Sequence, residues 1–243
     1  MKKFEIDLNA DIGEGAEFDA EIMHCITSAN ISCGVHAGDA NTIRRAVRSA
    51  LQNEVAIGAH PGYDDRENFG RKEQNLPPEE IKELILEQLI FLDKIVQEEG
   101  GKIRHVKPHG ALYNQAAVEP LVAEAVIQGI KEFDSNLYIM GLAGSLFLKR
   151  ASQHGMKTIA EAFADRRYNT DGTLVSRSIP GAVIEDPSDA AAQALAFAEK
   201  RNITAINGTP IFIDAQSICL HGDNQHALEQ AQFISRALRG NEK

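Results

Sequence analysis

Short apolar runs in this sequence repeatedly end in histidine, a carboxylic acid or lysine, with glycine close by. The longest case is Val106-Lys107-Pro108-His109-Gly110-Ala111-Leu112-Tyr113-Asn114. The same grammar recurs at Asp7-Leu8-Asn9-Ala10-Asp11, Cys33-Gly34-Val35-His36-Ala37-Gly38-Asp39 and Ile57-Gly58-Ala59-His60-Pro61-Gly62. It returns at Ile159-Ala160-Glu161 and Ile218-Cys219-Leu220-His221-Gly222-Asp223. Imidazoles and carboxylates are the side chains that exchange protons near neutrality or ligate divalent cations. Gathered in one pocket they admit two chemistries. In the first, Asp11, His36, His60 and His109 hold a divalent metal that activates water or polarises a carbonyl. In the second there is no permanent metal. Acids and imidazoles then act as general acid and base, while Lys107 and one or more arginines hold an anionic substrate. No H-x-H or H-x-x-x-H pair favours the metal, yet ligands spread over separate strands keep it open.

Each residue also has a plainer explanation. Lys107 could close a structural salt bridge, and Tyr113 could be a core aromatic. Arg71, Arg166, Arg167 and Arg177 lie in polar stretches where arginine is usually solvated surface. Cys33 and Cys219 fit buried small hydrophobes better than reactive thiols.

The elements that must position these residues alternate strand and helix. Strands are expected over 4–8, 27–32, 55–59, 103–106, 137–142 and 158–162, with extended segments over 211–214 and 217–220. Asp7, Asn9, Asp11, Glu161 and the four histidines then fall at C-terminal strand ends. A short helix is expected over 19–25. A second, capped by Asp39, reaches about 53 with Ile43, Ala46, Val47, Ala50 and Leu51 on its apolar face. The clearest helix spans 78–99: Pro stands at its start, and Ile81, Leu84, Ile85, Gln88, Leu89, Leu92, Ile95 and Val96 form a stripe. A polar-capped helical run begins near Gln115, and a helix is placed over 118–133. Further helices are expected over 145–154, 188–200 with Ser188 as cap, and 223–238. Long polar stretches cover 61–76 and 163–180, and loops of that length are usually functional.

This alternation predicts a parallel sheet, closed or nearly closed into a barrel with strand ends converging on one mouth. An open doubly wound sheet is the alternative, but neither G-x-G-x-x-G nor G-x-x-x-x-G-K-[ST] is present to support a nucleotide crevice. The 243 residues suit one β/α-barrel catalytic domain over 1–243. A net charge of −10 argues against nucleic-acid binding. No apolar run approaches membrane-spanning length, and the N-terminus meets an acid too soon for a signal-peptide core. Three cysteines give neither a disulfide framework nor a structural zinc spacing. A cytoplasmic protein is expected; a homo-oligomer is left open.

The quoted segments, with Phe69-Gly70-Arg71 and Glu161-Ala162-Phe163-Ala164-Asp165-Arg166-Arg167-Tyr168, resemble the LamB/YcsF family. The resemblance is collinear over nearly the whole chain. One departure is Ser32, where alanine is commoner. It implies the A component of the ATP-dependent prokaryotic 5-oxoprolinase, a hydrolase that cleaves the cyclic amide of 5-oxo-L-proline to L-glutamate. It further implies ATP as co-substrate, partner subunits B and C, and a distorted seven-stranded (β/α) TIM-like barrel of the glycoside hydrolase/deacetylase type. Without a P-loop here, ATP is expected to bind mainly on the partners. Asp11, His60, Lys107, His109 and Glu161 are the expected catalytic residues, with Glu14 an alternative to Asp11. Asn9, His36, Arg71, Tyr113, Arg166, Arg177 and His221 are expected to bind substrate. The competing readings are a free-standing metal-dependent deacetylase or amidohydrolase and a non-catalytic ligand-binding barrel.

Overall fold

The computed structural model describes residues 6–220 and 227–239. The chain runs β1 (Asp7–Ile12), α1 (Asp19–Ile22), β2 (Ser28–Ser32), α2 (Ala40–Gln52), β3 (Ala56–His60), a 3-10 turn (Arg66–Asn68) and α3 (Pro78–Glu98). Then follow β4 (Ile103–Val106), α4 (Gly110–Val118), α5 (Pro120–Phe133), β5 (Tyr138–Leu142), α6 (Leu146–Gln153) and β6 (Lys157–Phe163). The last elements are α7 (Pro187–Ala198), β7 (Ile203–Thr204), β8 (Pro210–Ile211), β9 (Ser217–Leu220) and α8 (Ala227–Arg239). Seven strands close a barrel in the order β1-β2-β3-β4-β5-β6-β9, every pair parallel. β7 and β8 form a separate antiparallel ribbon. The barrel expectation holds, and the open-sheet alternative does not.

Strand alternation is unusual in its sense. In β1, Leu8, Ala10 and Ile12 are buried hydrophobics, while Asn9 Nδ2 donates to Ser217 Oγ on the adjacent β9 at 2.7 Å. Apolar side chains therefore face the helices, and much of the barrel interior is polar. α3 is the longest helix of the outer layer: Ile81, Ile85, Leu89 and Leu92 are at most 1% exposed, each contributing about 1.5–3 kcal/mol relative to exposure.

Helix ends follow local chemistry. Asp39 Oδ1 accepts from Thr42 N at 2.8 Å, capping α2 as expected. Leu51 leaves the α2 core and is 38% exposed, since at about 100° per residue it lies at the stripe's edge. The cap of α7 is Asp186, not Ser188: its Oδ1 accepts from Ser188 N and Asp189 N, with Pro187 as first helical residue. The helix expected to start near Gln115 begins at Gly110, directly after the β4 motif, because His109 takes extended N-cap geometry. Pro120 cannot continue the hydrogen bonding of α4 and starts α5 instead. The first strand, expected over 4–8, runs Asp7–Ile12 instead, four residues past the expected end, because the buried alternation of Leu8, Ala10 and Ile12 continues through the acids. Residues 4–5 and part of the last helix, expected over 223–238, fall outside the described residues.

Candidate active site

The C-terminal strand ends and the loops behind them surround a cavity of about 820 Å³, within the usual range for small-molecule sites. His60 closes β3 and is 1% exposed. Its Nδ1–H donates to the Lys107 carbonyl at 2.7 Å. A carbonyl can only accept, so this bond decides which nitrogen carries hydrogen. Nε2 then faces Asp11 Oδ2 at 3.2 Å, His109 Nδ1 at 3.0 Å and Glu14 Oε1 at 3.8 Å. His109 is fixed the same way, with Nε2–H donating to the Phe69 carbonyl at 2.8 Å. Phe69 reaches that position with left-handed backbone (φ 56) beside Gly70, where a Cβ would press on His109 and His36 at 3.0 Å. His36 stacks flat on His109, centroids 3.9 Å apart, and its Nε2 contacts Glu14 Oε1 at 3.1 Å.

Four lone-pair atoms therefore converge: Asp11 Oδ2, Glu14 Oε1, His60 Nε2 and His109 Nδ1. Such a set needs a cation, either a proton or a metal. Burial opposes charge on His60, but the Asp11 carboxylate overrides it and raises the imidazole above its usual range. Burial, reinforced by His60, pushes His36 and His109 down to about 3, so both are neutral near pH 7. Burial also raises Glu14, with His60 opposing in part. The donor set fits a divalent cation as well. Asp11, His60 and His109 form one group and Glu14, His36 and His109 another, each with ligand atoms within 4.8 Å of one another. Backbone carbonyls holding the far imidazole nitrogens are the support that metal-ligating histidines need.

Below this centre lies Lys107, 2% exposed. Its Nζ pairs with Glu161 Oε1 at 2.8 Å and Asp11 Oδ1 at 3.0 Å, and touches Cys219 Sγ at 3.2 Å. Burial disfavours its charge, but Asp11, Cys219 and Glu161 outweigh this and hold it well above the ordinary lysine range. Lys107 is thus paired with internal acids while also lining the cavity. Glu161 is fully buried, with its other oxygen accepting from Tyr113 OH at 2.8 Å. Tyr113 combines both of its readings: it is buried and also lines the cavity.

Arg71, Arg166 and Arg177 add cationic groups to the cavity wall alongside Lys107. Arg166 is 8% exposed, fixed by Nη2 donating to the Val175 carbonyl at 2.6 Å, so it is no solvated loop arginine. Asn9 lies in the barrel interior beneath the cavity and does not line it. His36 backs His109 and also stays off the lining. Its place is the loop after β2, four residues beyond the strand end. Asp7 begins β1, at the barrel floor opposite the mouth, where it accepts from Thr27 and Ser28. His221 lies outside the described residues. Glu14 enters the sequence reading only as an alternative to Asp11, yet it touches all three clustered histidines. Its position just past the end of β1, between Gly13 and Gly15, is the available signal.

Comparison with known proteins agrees with this fold. The model of the LamB/YcsF family matches residues 6–243. The crystal structure of a lactam utilization protein from Thermus thermophilus is 38% identical, with a TM-score of 0.90 over 96% of each chain. A putative cellobiose-phosphate cleavage protein from Enterococcus faecalis shares the fold alone: 11% identity and TM-score 0.52, covering 99% of this chain and 92% of that one. The chain belongs to the LamB/YcsF family.

Proposed function

We propose that this chain is the lactam-opening A component of an ATP-hydrolysing 5-oxoprolinase, converting 5-oxo-L-proline to L-glutamate with partner subunits B and C. The observation that carries the reading is the convergence of Asp11, Glu14, His60 and His109 at one end of a cavity whose wall also carries arginines. Family membership and the 38% identical lactam utilization protein support the substrate class.

In this reading the substrate carboxylate faces Arg71, Arg166 and Arg177, and the lactam carbonyl faces the histidine and acid pole. Glu14, its carboxyl raised by burial, accepts a proton from water as the water oxygen bonds to the lactam carbon. It returns that proton to the ring nitrogen as the C–N bond breaks, leaving the γ-carboxyl and the free amine of glutamate. His36 and His109, both neutral, orient Glu14, while Asp11 holds the imidazole of His60. A divalent cation, when bound by Asp11, His60 and His109, supplies carbonyl polarisation and a more acidic water. ATP, assigned mainly to the partners because this chain has no P-loop, would drive the ring opening through its hydrolysis there rather than by a step in this cavity. The single-domain, cytoplasmic assignment belongs to the same proposal; no helix of the described residues is long and apolar enough to cross a membrane.

Glutamate release from 5-oxoproline tests the assignment directly. Turnover that requires ATP and partners and falls steeply in Glu14→Gln is the expected result. Full turnover by this chain alone would overturn the division of labour. A second reading, a free-standing metal-dependent amidohydrolase, is favoured by the carbonyl-locked histidines. It predicts bound metal in the purified chain and chelator-sensitive hydrolysis without ATP.

A further inference from the structure

Within the barrel lies a buried polar group that the mechanism above does not use. Asp11, Asn30, Gly58 and His105 stand in register across four neighbouring strands. Asn30 and His105 are fully buried, and neither lines the cavity. Branched aliphatic layers usually fill a barrel at this level, so a histidine among asparagines there needs a reason.

Gly58 makes the arrangement feasible: a Cβ at this position would lie 2.1 Å from His105 Nε2. With no side chain in the way, the imidazole reaches over the intervening strand, and its Nε2–H donates to Asn30 Oδ1 at 2.7 Å. That bond decides which way the Asn30 amide faces. Asn30 Nδ2 is then aimed at two acceptors, Asn9 Oδ1 at 2.7 Å and Asp11 Oδ1 at 2.9 Å. A flipped amide would set oxygen against oxygen at both contacts, so only one orientation is satisfied. His105 Nδ1 meanwhile stays buried with no partner among the described residues. A residue serving only to fill the core would avoid that orphan by being leucine.

We propose that Asn30 and His105 are positioning residues for Asp11. Asn30 and Lys107 Nζ together hold Asp11 Oδ1, turning Oδ2 toward His60 Nε2. His105 keeps the Asn30 amide in the one orientation that does this. Gly58 is the space through which His105 acts. The inference rests on Asp11 belonging to the active site.

The test is a double-mutant cycle on the full chain with its partners present, read as kcat and KM for glutamate release. His105→Leu is expected to lower kcat roughly 10–100-fold, the usual scale for losing support behind an active group, while KM stays nearly constant. His105→Gln, which keeps an N–H directed at Asn30, restores most of it. In an Asp11→Asn background, His105→Leu adds little, because coupled residues are not additive. The proposal is overturned if folded His105→Leu keeps its kcat, or if its loss multiplies undiminished in the Asp11→Asn background. Should His105→Leu fail to fold, Asn30→Ala carries the same cycle with the same two outcomes. Wild-type kcat in Asp11→Asn would instead sink the active-site reading itself.

Discussion

Two carboxylates at the mouth of one barrel are set apart by their neighbours. Asp11 is tied to Lys107, Asn30 and His60, whereas Glu14 faces imidazoles and the cavity. Replacing Glu14 with Gln should cut turnover by about 10²–10⁴-fold, the span of general acid–base catalysis, without lowering the thermal midpoint. Lys107→Met should act on stability as well as on turnover. It strands Asp11 and Glu161 in the barrel without their cation, a loss of about 3–5 kcal/mol for a broken buried pair. Urea unfolding measures it, and a stable Lys107→Met would show that the acids find other partners. At this scale the sequence is legible in kind but not in connection. His60, His109 and Asp11 are visible in it as strand-end groups. The direction of each imidazole is not, because it is set by the carbonyls of Lys107 and Phe69, and carbonyls carry no residue identity. Lys107 next to Pro108 reads as a cation open to substrate, since Glu161 and Cys219 come from distant strands.

The elements are readable wherever one local signal dominates. Asp39 before a 3.6-residue stripe, and Pro78 at the head of another, fix α2 and α3. Asn30 and His105 escape a sequence reading because polar residues alternating within a strand normally mark a solvent face. In this barrel the convention is inverted, with the polar face turned inward. The loop carrying Gly13 and Glu14 is held by α1, where Asp19 Oδ2 accepts from Gly13 N at 2.9 Å. Burial, the largest influence, raises the Asp19 carboxyl to about 6. The folded chain therefore binds a proton more tightly there than the unfolded chain does. Stability owed to this group is present below pH 3.8 and lost as pH rises through 6. Asp19→Asn should flatten that fall while keeping the bond to Gly13; an unchanged pH profile of unfolding would refute it. Asp186→Ala should cost about 1 kcal/mol, as lost N-caps do, seen as a lower denaturation midpoint with unchanged kcat.

Over the whole molecule, seven parallel strands gather residues from β1, β3, β4 and β6 into one centre. Regular alternation along the sequence announces that architecture, whereas the β7–β8 ribbon, two residues a strand, leaves no periodic trace. If the histidine–carboxylate set takes a divalent cation, the metal should stabilise the fold by about 2.7 kcal/mol at one hundred times its Kd. A thermal midpoint rising with metal concentration, and failing to rise in His60→Ala, is the expected pattern. The closure of the barrel carries one more consequence. β1 pairs with β9, and Asn9 bonds Ser217, two hundred and eight residues away along the chain. Joining such distant segments costs chain entropy on the order of 5 kcal/mol, recovered only once both are in place. The β1–β9 seam can therefore close only after nearly the whole chain has left the ribosome, although β1 pairs with β2 long before. Until β9 arrives, the barrel stays open between β1 and β6, and Lys107 lacks its Cys219 neighbour.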